Sequence, residues 1–453
     1  MTASRLVCAL AVGLLVGGVL STGCQPSELP PGGSPDSGTT VSDGGTTRPD
    51  SGTTQPDSGT IMPDGGSNGP DAGMTVLARV EVLNHKPNVL LLVDTSGSMT
   101  APINPSSASC KQADGGVCGY DSPCDTSRCP TRWSEVQGAM GTFLPQNATL
   151  ARLGLGTYPD ISKPVSGVAC GASSSLRVAL PGAGAEDDAT LVAKTSEVNA
   201  ALQSIPNGGT GMPEGGTPTG PSLRYVGSLP ELRTAERADF VLLLTDGAPN
   251  CNPNNPNPYP SAQCYCTLGD SVVCTISPYD KLGCMDQDTS VSAIQEMRSQ
   301  GIRTFVVGFG PEAMSYSSPT PRALHAMATA GGIVRQCQSD TDCGAGDSCD
   351  GFRGSCQRQF YLASNGAELV STLQRIREKL TKDSCLVRLE TSGDSPWEES
   401  LQVSLDGTVV APGPDSWSLT GEGVRFTGTA CEKIAAARPT APVLIEVRGP
   451  APG

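Results

Sequence analysis

Three short motifs carry oxygen donors at spacings that suit a hard cation. Asp94-Thr95-Ser96-Gly97-Ser98 follows the apolar run Val89-Leu90-Leu91-Leu92-Val93, and Thr245-Asp246-Gly247 follows Val241-Leu242-Leu243-Leu244. Between them lies Gly215-Gly216-Thr217-Pro218-Thr219-Gly220, with Thr210 in a neighbouring Gly-Gly-Thr as an alternative donor to Thr217. Two carboxylates (Asp94, Asp246) and three hydroxyls (Ser96, Ser98, Thr217) are all hard ligands, suited to Mg²⁺ first and also to Mn²⁺ or Ca²⁺. Hydroxyls are neutral donors, so an ion held this way stays electrophilic. It would take a carboxylate from another molecule as its final ligand.

These motifs need elements that bring them to one place. Unbroken apolar runs such as 89–93, 241–244 and Thr304-Phe305-Val306-Val307 are the pattern of strands covered on both faces in a parallel sheet. Between and after them run helical stripes: Trp133, Val136, Met140 and Phe143; Val291, Ile294 and Met297, with Gly301 as a cap; and Leu369, Leu373, Ile376 and Leu380. Buried strands alternating with amphipathic helices predict an α/β fold, a Rossmann-like, doubly wound, mostly parallel sheet. Ligands of such sheets sit beyond the carboxyl ends of the strands, where two of the three motifs fall.

Asp94-x-Ser96-x-Ser98, Thr217 and Asp246, in this order and on these elements, resemble the metal-ion-dependent adhesion site of a von Willebrand factor type A domain. The resemblance covers about residues 87–380. It implies a Rossmann-like domain that binds protein ligands through a divalent ion without catalysis. It also implies that Asp94, Ser96 and Ser98 form the first ligand group, Thr217 the threonine and Asp246 the second aspartate.

The domain is interrupted by cysteine-marked insertions at about 100–131, 250–285 and 335–358. Each is poor in large apolar residues and would need disulfides to hold it. The first two emerge beside the proposed ion and would build the binding face; stabilisation alone is the other reading. Cys8 and Cys24 aside, sixteen cysteines fall in groups of 4, 1, 5, 4 and 2. Complete, mostly local pairing then requires Cys170 to bridge to one of the five at 251–284, and Cys385 to pair with Cys431. With no CxxC pair, neither a zinc ribbon nor a thioredoxin-like motif is present, and so many thiols imply an oxidising compartment.

The domain boundaries follow from composition. Arg5, the apolar stretch 6–20 and Ser21-Thr22-Gly23 make residues 1–23 a signal peptide. Cys24 resembles a bacterial lipobox cysteine, although Ser21 stands where a leucine is usual; ordinary cleavage nearby is the alternative. Residues 24–76 hold a seven-residue repeat marked by Asp36, Asp43, Asp50, Asp57, Asp64 and Asp71, with too little apolar surface to fold. This predicts a disordered tether with an r.m.s. span of roughly 40 Å. Residues 77–383 are assigned to the type A domain. Residues 384–453 are assigned to a small β-rich module, with Asp406-Gly407 as a turn and Trp397 and Trp417 as core or edge residues.

Several function classes are disfavoured. The net charge of −15 without a basic patch argues against nucleic acid. Only His85 and His325 are present, and the serines of 94–98 lack a GxSxG context, so a hydrolase is the weakest reading. The expectation is a non-enzymatic lipoprotein of the outer membrane or cell surface. It would touch the membrane only through its lipid and grip an acidic protein or surface ligand through the ion. The architecture as a whole is similar to type A lipoproteins of gliding myxobacteria, which implies adhesion in gliding motility. An envelope scaffold using the same site is the alternative.

Overall fold

The computed structural model describes residues 74–450 except 83–84, 235–236, 269–270, 315–317, 345, 383–384, 388, 390–397, 421–422 and 438–440. The signal segment, Cys24, the aspartate repeat of 24–73 and Trp397 lie outside the described residues.

The apolar runs form a five-stranded sheet in the order Arg152–Tyr158, Asn88–Asp94, Asp239–Thr245, Ile302–Phe309, Tyr361–Ala363. Every pairing within it is parallel. The antiparallel contact at its edge is a single bridge, Leu155 to Val178. Alternate side chains of Asn88–Asp94 enter two cores. Val89, Leu91 and Val93 pack with helices Arg132–Gln146, Asp188–Gln203 and Gly366–Lys382 on one face. Leu90 and Leu92 pack with Thr219–Gly227, Gln287–Ser299 and Thr320–Ala330 on the other. Burial on both faces is why these strands read as unbroken apolar runs. The chain is thus a doubly wound α/β domain with disulfide-held insertions and a β-rich module.

The first insertion is closed by Cys110–Cys129 and Cys118–Cys124, the second by Cys264–Cys284 and Cys266–Cys274, and the third by Cys337–Cys349 and Cys343–Cys356. Cys170 bonds Cys251, and Cys385 bonds Cys431, as the odd and even group sizes require.

One boundary moves. Composition places the boundary between tether and domain at residue 77, whereas Met74–Val82 is one strand, paired antiparallel with Val443–Pro450. It belongs to the β module, which the α/β domain therefore interrupts. That module has a four-stranded sheet (Met74–Val82, Val443–Pro450, Gln402–Leu405, Thr408–Val410) and a three-stranded one (Trp417–Thr420, Gly423–Phe426, Leu386–Val387). Asp406 and Gly407 turn the hairpin at φ of 51° and 77°, the left-handed pair that a two-residue loop needs. A helix that the alternating pattern did not suggest, Gly428–Ala435, carries Cys431 and buries Ala430 and Ile434. Trp417 is a core residue, fully buried, with its indole donating to the Val410 carbonyl at 2.7 Å.

Candidate metal site

At the carboxyl edge of the sheet the three motifs meet. Asp94 ends its strand fully buried; one carboxylate oxygen accepts from the Ser96 amide at 2.8 Å and the other from the Thr245 hydroxyl at 2.6 Å. Ser96 and Ser98 share a hydrogen bond of 3.0 Å between their hydroxyls. The Ser98 hydroxyl also donates to Asp246 Oδ1 at 2.9 Å, and Asp246 is likewise fully buried. The loop that carries Thr217 lies against the first motif: the Gly97 amide donates to the Gly215 carbonyl at 3.0 Å and the Glu214 amide to the Thr95 carbonyl at 2.9 Å. Asn250 fixes Thr217 from both sides of its peptide. Its Oδ1 accepts from the Thr217 amide at 2.7 Å, and its own amide donates to the Thr217 carbonyl at 2.9 Å. Thr217 is buried and lies in the loop that meets the first motif, whereas Thr210 is exposed.

Glycine is required in this loop. Gly215 has φ of +87°, and a Cβ there would meet the Ala169 carbonyl oxygen at 2.3 Å. A Cβ on Gly216 would meet the Cys251 sulfur at 2.3 Å. The disulfide Cys170–Cys251 therefore packs directly beneath the backbone that presents Thr217.

The electrostatics show a shortage of positive charge. Burial, and then Asp246, push the Asp94 carboxyl up to about 7, against the pull of its bonds from Thr245 and Ser96. Burial, and then Asp94, likewise hold the Tyr158 hydroxyl well above its ordinary value. The nearest cation is Arg132, the first residue of helix Arg132–Gln146. Its guanidinium donates to Asp246 Oδ2 at 2.5 Å through Nη1 and to Glu312 Oε1 at 2.9 Å through Nη2. Burial works to lower the Arg132 pKa, but the charges of Asp246 and Glu312 outweigh it and the net shift is upward. Asp246 and Glu312 share one guanidinium, while Asp94 is held by the neutral Ser96 amide and Thr245 hydroxyl, so the three carry two more negative charges than that guanidinium balances when all are ionised. A divalent ion matches that deficit and the all-oxygen donor set.

Sequence reasoning did not single out Arg132, Glu312, Thr245 or Asn250. Arg132 stands between Thr131 and Trp133 with no periodic signal, and its partners are remote in sequence. Thr245, inside Thr245-Asp246-Gly247, and Asn250, just beyond it, had a local hint. The sulfur clusters at Cys110, Cys118 and Cys129 and at Cys337, Cys343 and Cys356 are bound in disulfides and do not compete as metal sites. Neither histidine approaches the serines: His85 Nδ1 lies 3.1 Å from Glu186 Oε1, and His325 Nδ1 accepts from the Gln359 amide at 3.3 Å.

No family model matches the sequence, and no curated protein does. Among solved structures, the chain aligns with the pilus adhesin SpaC from Lactobacillus rhamnosus GG at 13% identity and a TM-score of 0.37, over 82% of this chain and 41% of that one. The proximal thread matrix protein 1 of the mussel byssus aligns at 11% identity and a TM-score of 0.33, over 68% and 51%. Manganese-loaded TRAP protein from Plasmodium vivax aligns at 18% identity and a TM-score of 0.28, over 51% and 61%. The chain spans about half or less of the first two proteins' lengths. Among the described residues, no helix is long and apolar enough to cross a membrane.

Proposed function

We propose that this protein binds an acidic protein or surface ligand through a divalent ion held by Asp94, Ser96, Ser98, Thr217 and Asp246, and that it serves as a cell-surface adhesin rather than an enzyme. The observation that carries this reading is the buried pair Asp94 and Asp246 at the carboxyl edge of the sheet, linked through Ser96 and Ser98, which with Glu312 carries two more negative charges than the Arg132 guanidinium balances. When bound, the ion supplies a Lewis-acidic face for an incoming carboxylate. The protein's own residues do the rest. Asp94 is held by Thr245 and Ser96, Thr217 by Asn250, and both aspartates are fully buried. Mg²⁺ is the ion we favour, as a small hard cation suited to hydroxyl and carboxylate oxygens.

The finer reading is a lipoprotein: signal peptide 1–23, lipid on Cys24, and a repeat tether raising the domain off an outer membrane, in the manner of type A lipoproteins used in myxobacterial gliding. Surface labelling of intact cells separates an exposed adhesin from an envelope scaffold facing the periplasm.

Titration calorimetry of the oxidised chain with Mg²⁺, Mn²⁺ and Ca²⁺, beside Asp94→Ala, tests the site. Binding by the native protein alone is expected. Saturation at about 100 times Kd should add about 2.7 kcal/mol of stability. No binding at millimolar ion removes the metal mechanism.

A further inference from the structure

Arg132 is oddly placed for an arginine. It is the first residue of its helix, at the positive end of the dipole, and only 5% of it is exposed. It is pinned there: Thr131 and Ser134 form a capping box around it, and its amide donates to the Ala101 carbonyl at 2.9 Å. A cation in that position is tolerated because Asp246 and Glu312 face it, and its Nε has no hydrogen-bond partner. The consequence falls on Asp246. One of its oxygens takes the Ser98 hydroxyl and the other the Arg132 guanidinium, so that Asp246 meets a cation of the chain itself, unlike Asp94, whose oxygens take only the neutral Ser96 amide and Thr245 hydroxyl.

We infer that Arg132 is the residue that sets how tightly, and through which ligands, the site holds its ion: it keeps Asp246 from ligating directly, and Glu312 tunes it by neutralising part of its charge. The inference rests on the metal reading above. An ion with fewer direct carboxylate ligands would keep more of its charge for an outside carboxylate. The affinity of the empty site is therefore low by construction, and the acidic partner contributes a ligand that Asp246 withholds. Glu312 is placed to act as the tuning group. Its side chain is 51% exposed and it lies beside Gly247, where a Cβ would stand 3.7 Å from its carboxylate.

The two side chains make opposite predictions, which a merely structural ion pair does not. Mn²⁺ binding to the full oxidised chain is measured by calorimetry, with water-proton relaxation reporting the waters on the bound ion. Arg132→Gln removes a positive charge next to a dication and frees an oxygen of Asp246, so Mn²⁺ should bind about tenfold tighter, with fewer bound waters. Glu312→Gln leaves the guanidinium unneutralised and should weaken Mn²⁺ binding severalfold. If Arg132→Gln unfolds, the half-exposed Glu312→Gln still decides, since equal or tighter binding there overturns the inference. Native protein that binds Mn²⁺ while a folded Arg132→Gln binds it no more tightly also overturns it and leaves the metal site standing. If native and both variants are folded yet none binds millimolar Mn²⁺, the metal reading itself fails and this inference goes with it.

Discussion

Cys170 and Cys251 are joined across 81 residues of chain, and the bond lies under Gly216, whose absent Cβ would meet the Cys251 and Cys170 sulfurs at 2.3 and 3.1 Å. It couples the loop presenting Thr217 to the segment just past Asp246. One cross-link therefore holds two of the three oxygen-bearing motifs in register.

Removing it should cost stability and ion binding together. By the chain-entropy account, opening a loop of this length costs about 4–5 kcal/mol. Cys170→Ala/Cys251→Ala should melt far below the native protein and lose most of its Mg²⁺ affinity, because Thr217 is no longer braced. The double variant of Cys337 and Cys349, in the third insertion, serves as a control that should lose stability but keep the ion. Equal ion affinity in both double variants would show that Thr217 does not depend on the bridge.

Gly216→Ala tests the same packing without breaking a bond. With the Cys251 sulfur at 2.3 Å and Asn250 Oδ1 at 3.0 Å from the new methyl, loop or disulfide must shift. Overpacking of this kind costs about 1–3 kcal/mol. A thermal melt within a degree of the native protein would mean the loop yields freely.

Asp94 makes the metal-free protein pH-sensitive in a definite direction. Its folded pKa, about 7, lies above the ordinary carboxylate value, so the folded state holds this proton longer than the unfolded chain does. The associated stability is present below about pH 4 and lost as pH rises through 7. With ions chelated, native protein should be less stable at pH 8 than at pH 5 through this group. Asp94→Asn should remove that part of the decline while abolishing the gain from added Mg²⁺. Calorimetric melts at both pH values, with and without chelator, measure each part.

How much of this was legible in the sequence depended on how local the signal was. The strands at 88–94, 239–245 and 302–309 declared themselves because burial on both faces leaves an unbroken apolar run. Asp94, Ser96 and Ser98 were legible because a single turn carries all three. Even the Cys170 bridge followed from counting, since the lone Cys170 and the group of five at 251–284 are the two odd groups and complete pairing must join them. The Arg132 bridge had no such trace: its two carboxylates lie 114 and 180 residues away, and an arginine at the start of a helix looks like a solvated one. Met74–Val82 straddles the compositional boundary for the same reason, because the strand that pairs with it is some 370 residues on.

At the opposite edge of the sheet, Asp239 predicts a second pH effect, independent of any ion. Burial pushes it up to about 6, only partly offset by its 2.8 Å hydrogen bond from Asn88 and by the nearby Arg237 and Arg152. As for Asp94, the stability it contributes is present below about pH 4 and lost as pH rises through 6. Asp239→Asn keeps an acceptor for Asn88 and carries no charge. It should match the native protein near pH 4 and exceed it at pH 8, by no more than about 3 kcal/mol. Urea unfolding at the two pH values decides; a variant less stable at pH 8 would mean that the arginines gain more from the carboxylate than burial costs.

The strand Met74–Val82 sets where a folded protein must begin. Leu77 and Ala78 pack on the core formed by Trp417, Val403 and Ile445, and a Cβ on Gly449 would lie 2.5 Å from Leu77 Cδ1, so the two strands fit closely. A chain starting at residue 84 would leave the Val443–Pro450 edge unpaired and that core open to water, while the α/β domain would keep its own two cores. Limited proteolysis should then cut within 385–450 at once and spare the α/β domain, whereas a chain starting at residue 74 should resist in both. If the shorter chain keeps its module intact, the Cys385–Cys431 bond and the three-stranded sheet suffice to hold it, and Met74–Val82 is an accessory strand.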